Sequence, residues 1–210
     1  MPSSTPHAGQ PVLRIGPQPA SARLTTILLH GRGSTADDML SLARDLRTTD
    51  VAYLAPQAAS NTWYPYSFLT PIEQNEPWLT SALSTIDGLV NALGEQGVPP
   101  DRVALLGFSQ GACLTLEYAA RHARRYAAIV GLSGGLIGPP GTPRHYEGAF
   151  GGTHVFLGCS DVDPHIPLER VHETTEVFRA MGATVDERIY RAAGHTVNAD
   201  EIKAVQGLLG

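Results

Sequence analysis

The sequence predicts an α/β fold in which a mainly parallel central sheet is covered by helices on both faces. Three observations lead there. Short apolar runs alternate with helical patterns of roughly 12–18 residues along the chain, as parallel strands joined by helical crossovers do. The residues best suited to chemistry fall where those runs stop, and in parallel sheets reactive groups gather at the carboxyl ends of strands. One such end, Gly107-Phe108-Ser109-Gln110-Gly111, has the G-x-S-x-G form of a nucleophile elbow between a strand and a helix.

Taken in order, residues 1–10 are rich in Pro, Ser and Gly and are expected to be flexible, with one domain over 11–210. Val12 to Ile15 reads as a short edge strand between Pro11 and Gly16-Pro17. Leu24 to Leu29 is a β-branched, apolar run that fits a central strand. It ends in the turn His30-Gly31-Arg32-Gly33, after which Ser34 or Thr35 would cap a helix reaching about Arg47. Val51 to Ala55 is the next strand, and Pro56 stops it. The segment from Gln57 to Pro77 is irregular and holds Trp63, Tyr64, Tyr66 and Phe68. Clustered aromatics in so long a loop favour a packed, binding-type loop. A helix over 77–95 follows, with Leu79, Leu83, Ile86, Leu89, Val90 and Leu93 on one face.

Val103 to Leu106 is the strand that feeds the elbow, and the helix from Gln110 presents Ala112, Leu116, Ala119 and Ala120 to the sheet. Tyr126 to Leu132 and His154 to Leu157 read as strands, separated by a Gly/Pro-rich loop over 133–152. A helix over 167–181, a strand over 184–190, the loop Ala192-Ala193-Gly194-His195 and a final helix complete the chain.

Composition narrows the function. Hydrophobic residues make up 42% and charged residues 17% of the chain, with a net charge of −5, so nothing invites nucleic acid. No apolar stretch approaches the roughly 18 residues that cross a bilayer, and residues 1–23 do not read as a signal peptide. Two cysteines, Cys113 and Cys159, are too few for a disulfide framework and fit reduced, buried thiols in a cytoplasmic protein. None of the eight histidines stands at metal-ligand spacing, so neither metal nor cofactor is called for.

A serine hydroxyl attacks carbonyl carbon only when a base removes its proton, and a carboxylate can orient that base. Ser109, an aspartate at 161 or 163, and His195 stand in the chain order of α/β-hydrolases. The bland alternative for either aspartate is a helix N-cap or first-turn charge. His30 is expected to shape the HGRG turn, His165 to lie at a rim, and His122, His154 and His172 to sit on the surface. Cys113 reads as packing.

At this point the residues resemble the phospholipase/carboxylesterase group of small α/β-hydrolases, which includes the acyl-protein thioesterases. The resemblance runs from about Leu24 to Ile202. It rests on LLHGRG (28–33), APQ (55–57), TWY (62–64), GFSQGA (107–112), GLSG (131–134), DPHIP (163–167) and AAGH (192–195). It implies an α/β-hydrolase fold without a large cap domain, no metal, and hydrolysis of carboxylic esters or thioesters, with a small-molecule ester as substrate, Ser109 as nucleophile and His195 as general base. Asp163 matches the group's D-P-x-V-P pattern and Asp161 the G-x-x-D spacing from Gly158; Asp163 is preferred as the acid and Asp161 kept as the alternative. The backbone N–H groups of Gln110 and Arg32 would hold the oxyanion. Trp63 and Tyr64 would wall the acyl pocket, or else cap the core.

Relatives usually carry an apolar residue where this chain has Arg32. Its guanidinium either favours a polar or anionic acyl group or points into solvent. A homodimer is compatible with the sequence. A thioesterase or lysophospholipase acting on longer acyl chains is the alternative enzyme. A non-catalytic binding protein on a hydrolase scaffold is the alternative of another class.

Overall fold

Alternation within each central strand sends side chains to two separate cores, and this explains why those strands are apolar throughout. The computed structural model describes residues 5–210. Its strands are β1 (Val12–Ile15), β2 (Leu24–Leu29), β3 (Val51–Pro56), β4 (Val103–Phe108), β5 (Ala128–Leu132), β6 (His154–Ser160) and β7 (Thr184–Tyr190). They form one sheet in the order β1-β3-β2-β4-β5-β6-β7. Only β1 is antiparallel to its neighbour.

The helices are α1 (Ala36–Asp45), α2 (Trp78–Glu95), α3 (Gln110–Arg121), α4 (Leu168–Ala180) and α5 (Ala199–Leu209). Ile27, Leu29, Leu105, Ile129, Val155 and Leu157 point to the core shared with α2, α3 and α4. Their neighbours Leu28, Ala104, Leu106, Val130 and Phe156 point to the core shared with α1 and α5. A strand buried on both faces has no polar positions to spare. The edge strands do: β7 carries Asp186, Glu187 and Arg188, and β1 is largely exposed, which discourages pairing with another chain.

Element boundaries differ from the sequence-based expectation where local caps or neighbours decide them. Helix α1 begins after Thr35, whose side chain accepts the Asp38 N–H while Asp38 accepts from the Thr35 N–H. It ends before Arg47, which takes a positive φ of 47°. Strand β6 runs on to Ser160 because β7 pairs with it along its whole length. Of the stretch 1–10, expected to be flexible, the structure describes residues 5–10. There His7 is buried, its ring accepting the Ala59 N–H and donating to the Trp63 carbonyl; residues 1–4 lie outside the described residues. No helix among the described residues is long and apolar enough to cross a membrane.

Strand order reverses between β2 and β4. The chain steps outward from β2 to β3, then crosses back to place β4 on the other side of β2. Such a reversal opens a crevice at the carboxyl ends of the two central strands. The HGRG turn leaves β2 there, and Ser109 leaves β4 beside it.

Candidate active site

Ser109 sits at φ 55°, ψ −120°, a conformation that costs on the order of 1–3 kcal/mol for a residue with a Cβ. The surroundings over-determine it. Its N–H donates to the Leu132 carbonyl at 2.9 Å, and its own carbonyl accepts from the Cys113 N–H at 3.0 Å. Two glycines make the sharp turn feasible. A Cβ on Gly107 would lie 2.2 Å from the Gly111 carbonyl oxygen, and one on Gly111 would lie 2.1 Å from that of Leu29. No side chain fits at either point.

The Ser109 Oγ lies 2.8 Å from His195 Nε2, and His195 Nδ1 lies 2.7 Å from Asp163 Oδ2. A carboxylate can only accept, so the imidazole proton sits on Nδ1 and Nε2 is left to accept from the serine hydroxyl. The Asp163 side chain is fully shielded from solvent. Burial alone would raise its pKa, but His195 and the N–H groups of His165 and Ile166, at 2.8 and 3.0 Å, hold it below the ordinary carboxylate value.

Asp161 takes a different place. It is exposed, and its Oδ1 accepts the Ala192 N–H at 2.7 Å. Ser160 Oγ accepts the Gly194 N–H at 3.0 Å. These two residues therefore clamp the loop that presents His195. The ring itself lies between Phe108, with centroids 5.1 Å apart, and His165, edge-on at 4.8 Å.

Gln110 opens α3, so its N–H is among those with no acceptor inside the helix. Among the described residues, the Arg32 N–H donates to no backbone oxygen in the loops and turns. The β2 turn presses on the elbow: a Cβ on Gly31 would be 3.3 Å from that of Ser109.

A cleft of about 620 Å³ opens over Ser109, with Tyr64, Phe68, Phe108, Cys113 and Ile166 on its walls and Arg32, Ser34 and His165 also facing it. Tyr64 lines the cleft and Trp63 does not. Trp63 is wholly buried beneath the loop, its indole N–H donating to the His30 carbonyl at 2.9 Å and its ring packed on His7 and His30. An indole with one donor is best satisfied by a buried carbonyl, and it serves as the keel of the loop. His30 shapes the turn: its Nδ1–H donates to the Gly31 carbonyl at 2.8 Å and its Nε2 accepts the Ala58 N–H at 3.0 Å. Burial lowers its pKa against the raising effect of the Gly31 bond, which keeps the ring neutral.

Arg32 is exposed, and its guanidinium is tied to three partners. Nη1 donates to Thr62 Oγ1 at 3.1 Å and the Pro65 carbonyl at 2.8 Å, and Nη2 to the Tyr66 carbonyl at 2.7 Å. Three polar side chains that matter here had no role foreseen for them. The Gln110 amide accepts the Trp63 N–H at 2.8 Å and donates to the Tyr64 carbonyl at 2.7 Å. Gln57 accepts the first N–H of α1, from Ala36, at 2.9 Å. Ser160 holds Gly194. A glutamine just past the serine of the elbow is the only hint of these in the sequence, and its side-chain partners lie 46 and 47 residues away.

The comparisons with known proteins agree with one another. A model of the phospholipase/carboxylesterase family matches residues 12–209. A solved phospholipase/carboxylesterase from Dyadobacter fermentans is 41% identical, covers 96% of this chain and 97% of its own, and superposes with a TM-score of 0.93. Acyl-protein thioesterase 1 of Saccharomyces cerevisiae is 25% identical over 91% of this chain and 93% of its own. Arabidopsis thaliana SOBER1, at 17% identity with 90% and 98% covered and a TM-score of 0.75, shares the fold.

Proposed function

The chain belongs to the phospholipase/carboxylesterase family, and from that premise we propose that it hydrolyses carboxylic esters through an acyl-enzyme formed on Ser109. His195 Nε2 takes the hydroxyl proton as Ser109 Oγ attacks the carbonyl carbon. Asp163 keeps the imidazole in the productive tautomer and stabilises the imidazolium that forms. Charge gathers on the former carbonyl oxygen between the N–H groups of Arg32 and Gln110. Collapse of the tetrahedral intermediate releases the alcohol, which carries away the proton from His195. Water then enters, its oxygen bonding to the acyl carbon as His195 takes its proton. The second tetrahedral intermediate breaks the bond to Ser109 Oγ, which takes the proton back from His195 as the acid leaves.

The observation that carries this reading is the unbroken chain of contacts from Ser109 Oγ to His195 to Asp163, at 2.8 and 2.7 Å, on the floor of an open cleft. The test is Ser109→Ala against p-nitrophenyl butyrate, with labelling of the wild type by a fluorophosphonate. Turnover is expected to fall by about 10³-fold or more while the thermal transition is kept. Undiminished hydrolysis, or a probe that modifies another residue, would refute the assignment. The wild-type rate should also fall on acidification, because an imidazole that has taken up a proton can no longer accept the one from Ser109.

Thioester hydrolysis is the second reading, and the relative named acyl-protein thioesterase favours it. The same acyl group offered as an oxygen ester and as a thioester separates the two.

A further inference from the structure

The residues that line the cleft over Ser109 carry one fixed charge, and it is positive; the Asp163 carboxylate lies behind His195 and does not line it. Arg32 lines it, no Asp or Glu does, and the remaining ionisable side chains on its walls are Tyr64, Tyr66, Cys113, His165 and His195. Elsewhere the chain is acidic, with a net charge of −5, so an anion meets a favourable potential here and an unfavourable one over much of the remaining surface.

Arg32 is built into the wall and left unneutralised. Its three hydrogen bonds all end on uncharged oxygens, those of Thr62, Pro65 and Tyr66. No carboxylate among the described residues forms an ion pair with it. A guanidinium has five N–H groups, so with three committed two remain, Nε–H and one on Nη2. The committed bonds hold the fork still, with Cζ 6.0 Å from the Tyr64 ring centroid. An incoming anion therefore need not order this side chain, and that ordering cost is what usually weakens an exposed pair.

We propose that Arg32 receives an anionic group of the substrate, so that the preferred esters or thioesters carry a carboxylate or similar anion near the scissile carbonyl. The proposal rests on Ser109 as the nucleophile, since that places the scissile carbonyl in the same cleft as the guanidinium. The anion can belong to the acyl group or to the leaving group, and the experiment distinguishes the two.

The experiment compares kcat/KM within matched pairs. Mono-p-nitrophenyl glutarate against p-nitrophenyl pentanoate tests an anionic acyl group. The butyryl ester of 4-hydroxybenzoate against that of its methyl ester tests an anionic leaving group. Wild type should favour the anionic member of one pair, and that pair identifies the end that Arg32 reads. The anionic-to-neutral ratio should drop about ten-fold in Arg32→Gln, hold up better in Arg32→Lys, and shrink with added salt. Using the ratio removes any loss common to both substrates, such as a loosened loop. Equal losses on both members of each pair would reduce Arg32 to a loop staple and overturn the proposal, as would a wild type with no preference in either pair. Glutarate binding, followed by NMR titration of wild type and Arg32→Gln, decides the matter apart from catalysis. If wild type cleaves none of the four esters, the hydrolase reading fails, and Arg32-dependent glutarate binding would still support the anion site. Binding that survives Arg32→Gln, or is absent in wild type, would overturn it.

Discussion

The side-chain amide of Gln110 donates to the backbone carbonyl of Tyr64 at 2.7 Å. At its other end it accepts from the neighbouring Trp63 N–H at 2.8 Å, so one side chain reads both polar groups of the loop as a strand neighbour would. Gln110 is also the residue whose own N–H faces the proposed oxyanion. The first turn of α3 and the aromatic wall of the cleft thus move together, and the position of Tyr64 over the cleft is set from the same residue as the electrostatics below it.

Gln110→Ala should therefore cost both stability and rate. It strands the Trp63 N–H, whereas the Tyr64 carbonyl keeps the Thr62 hydroxyl at 3.0 Å, and a buried group left unpaired costs roughly 1–3 kcal/mol. Urea unfolding should show a loss of about 1–3 kcal/mol, and kcat/KM for a short ester should fall with it. A stability change below about 0.5 kcal/mol, the range of ordinary surface substitutions, would mean that the loop does not depend on this amide.

Much of this arrangement was legible from residue order because it follows from one-dimensional rules. Strands buried on both faces, such as β2 and β4, must be apolar throughout, and Gly107 and Gly111 mark a turn with no room for a Cβ. The Ser109, His195 and aspartate positions follow from the carboxyl-end rule for parallel sheets. What remained hidden depends on distant partners. Nothing near Gln110 announces Tyr64, and nothing near Arg32 announces Pro65 and Tyr66. Residue order left Trp63 between a pocket wall and a cap on the core; under the loop, its indole N–H donates to the His30 carbonyl. His7 lies in a stretch whose composition suggests looseness, yet it is anchored by groups 52 and 56 residues away.

The two aspartates after β6 should separate cleanly on substitution. Asp163→Asn keeps the shape but offers an amide where Nδ1–H needs an acceptor, which favours the wrong tautomer; kcat should fall about 10³- to 10⁴-fold. Asp161→Ala removes only the acceptor for the exposed Ala192 N–H, and the loss should stay below about ten-fold. Stability adds a sign. The Asp163 pKa is depressed below its ordinary 3.8, so its carboxylate contributes stability that is present above that value and lost as pH falls through the lowered one. Wild type should thus lose more stability than Asp163→Asn on strong acidification. Steady-state kinetics and acid unfolding of both variants check these expectations.

Gly111→Ala should fail where Gly33→Ala survives. The added methyl at 111 would meet backbone, 2.1 Å from the Leu29 oxygen, and the first turn of α3 would have to part from the end of β2; a loss above about 4 kcal/mol or no soluble protein is expected. Gly33 has open space around it and φ of +76°, so alanine there pays only the left-handed penalty of about 1–2 kcal/mol. Comparable denaturation midpoints for the two variants would contradict the close-approach account.

Glu201 should make the fold weaker as pH rises. It closes the cap of α5, its Oε2 accepting the Asn198 N–H at 2.8 Å, and it packs against β6, where a Cβ on Gly158 would lie 2.2 Å from its Oε1. Burial pushes its carboxyl from an ordinary 4.5 up to about 7, with the Asn198 bond lowering it and Asp200 raising it. A carboxyl with a raised folded pKa holds its proton more firmly folded than unfolded. Its contribution is therefore fullest below 4.5 and declines as pH rises toward about 7. Glu201→Gln keeps an oxygen for Asn198 and cannot ionise, so the variant's stability relative to wild type should improve by about 2–3 kcal/mol between pH 5 and pH 8. The change between the two pH values is the quantity to measure, by urea unfolding, because the cost of housing the new NH₂ group is the same at both and cancels. A difference that stays flat would mean that the carboxylate reaches water when it ionises, and that α5 rather than the charge sets the stability of this corner.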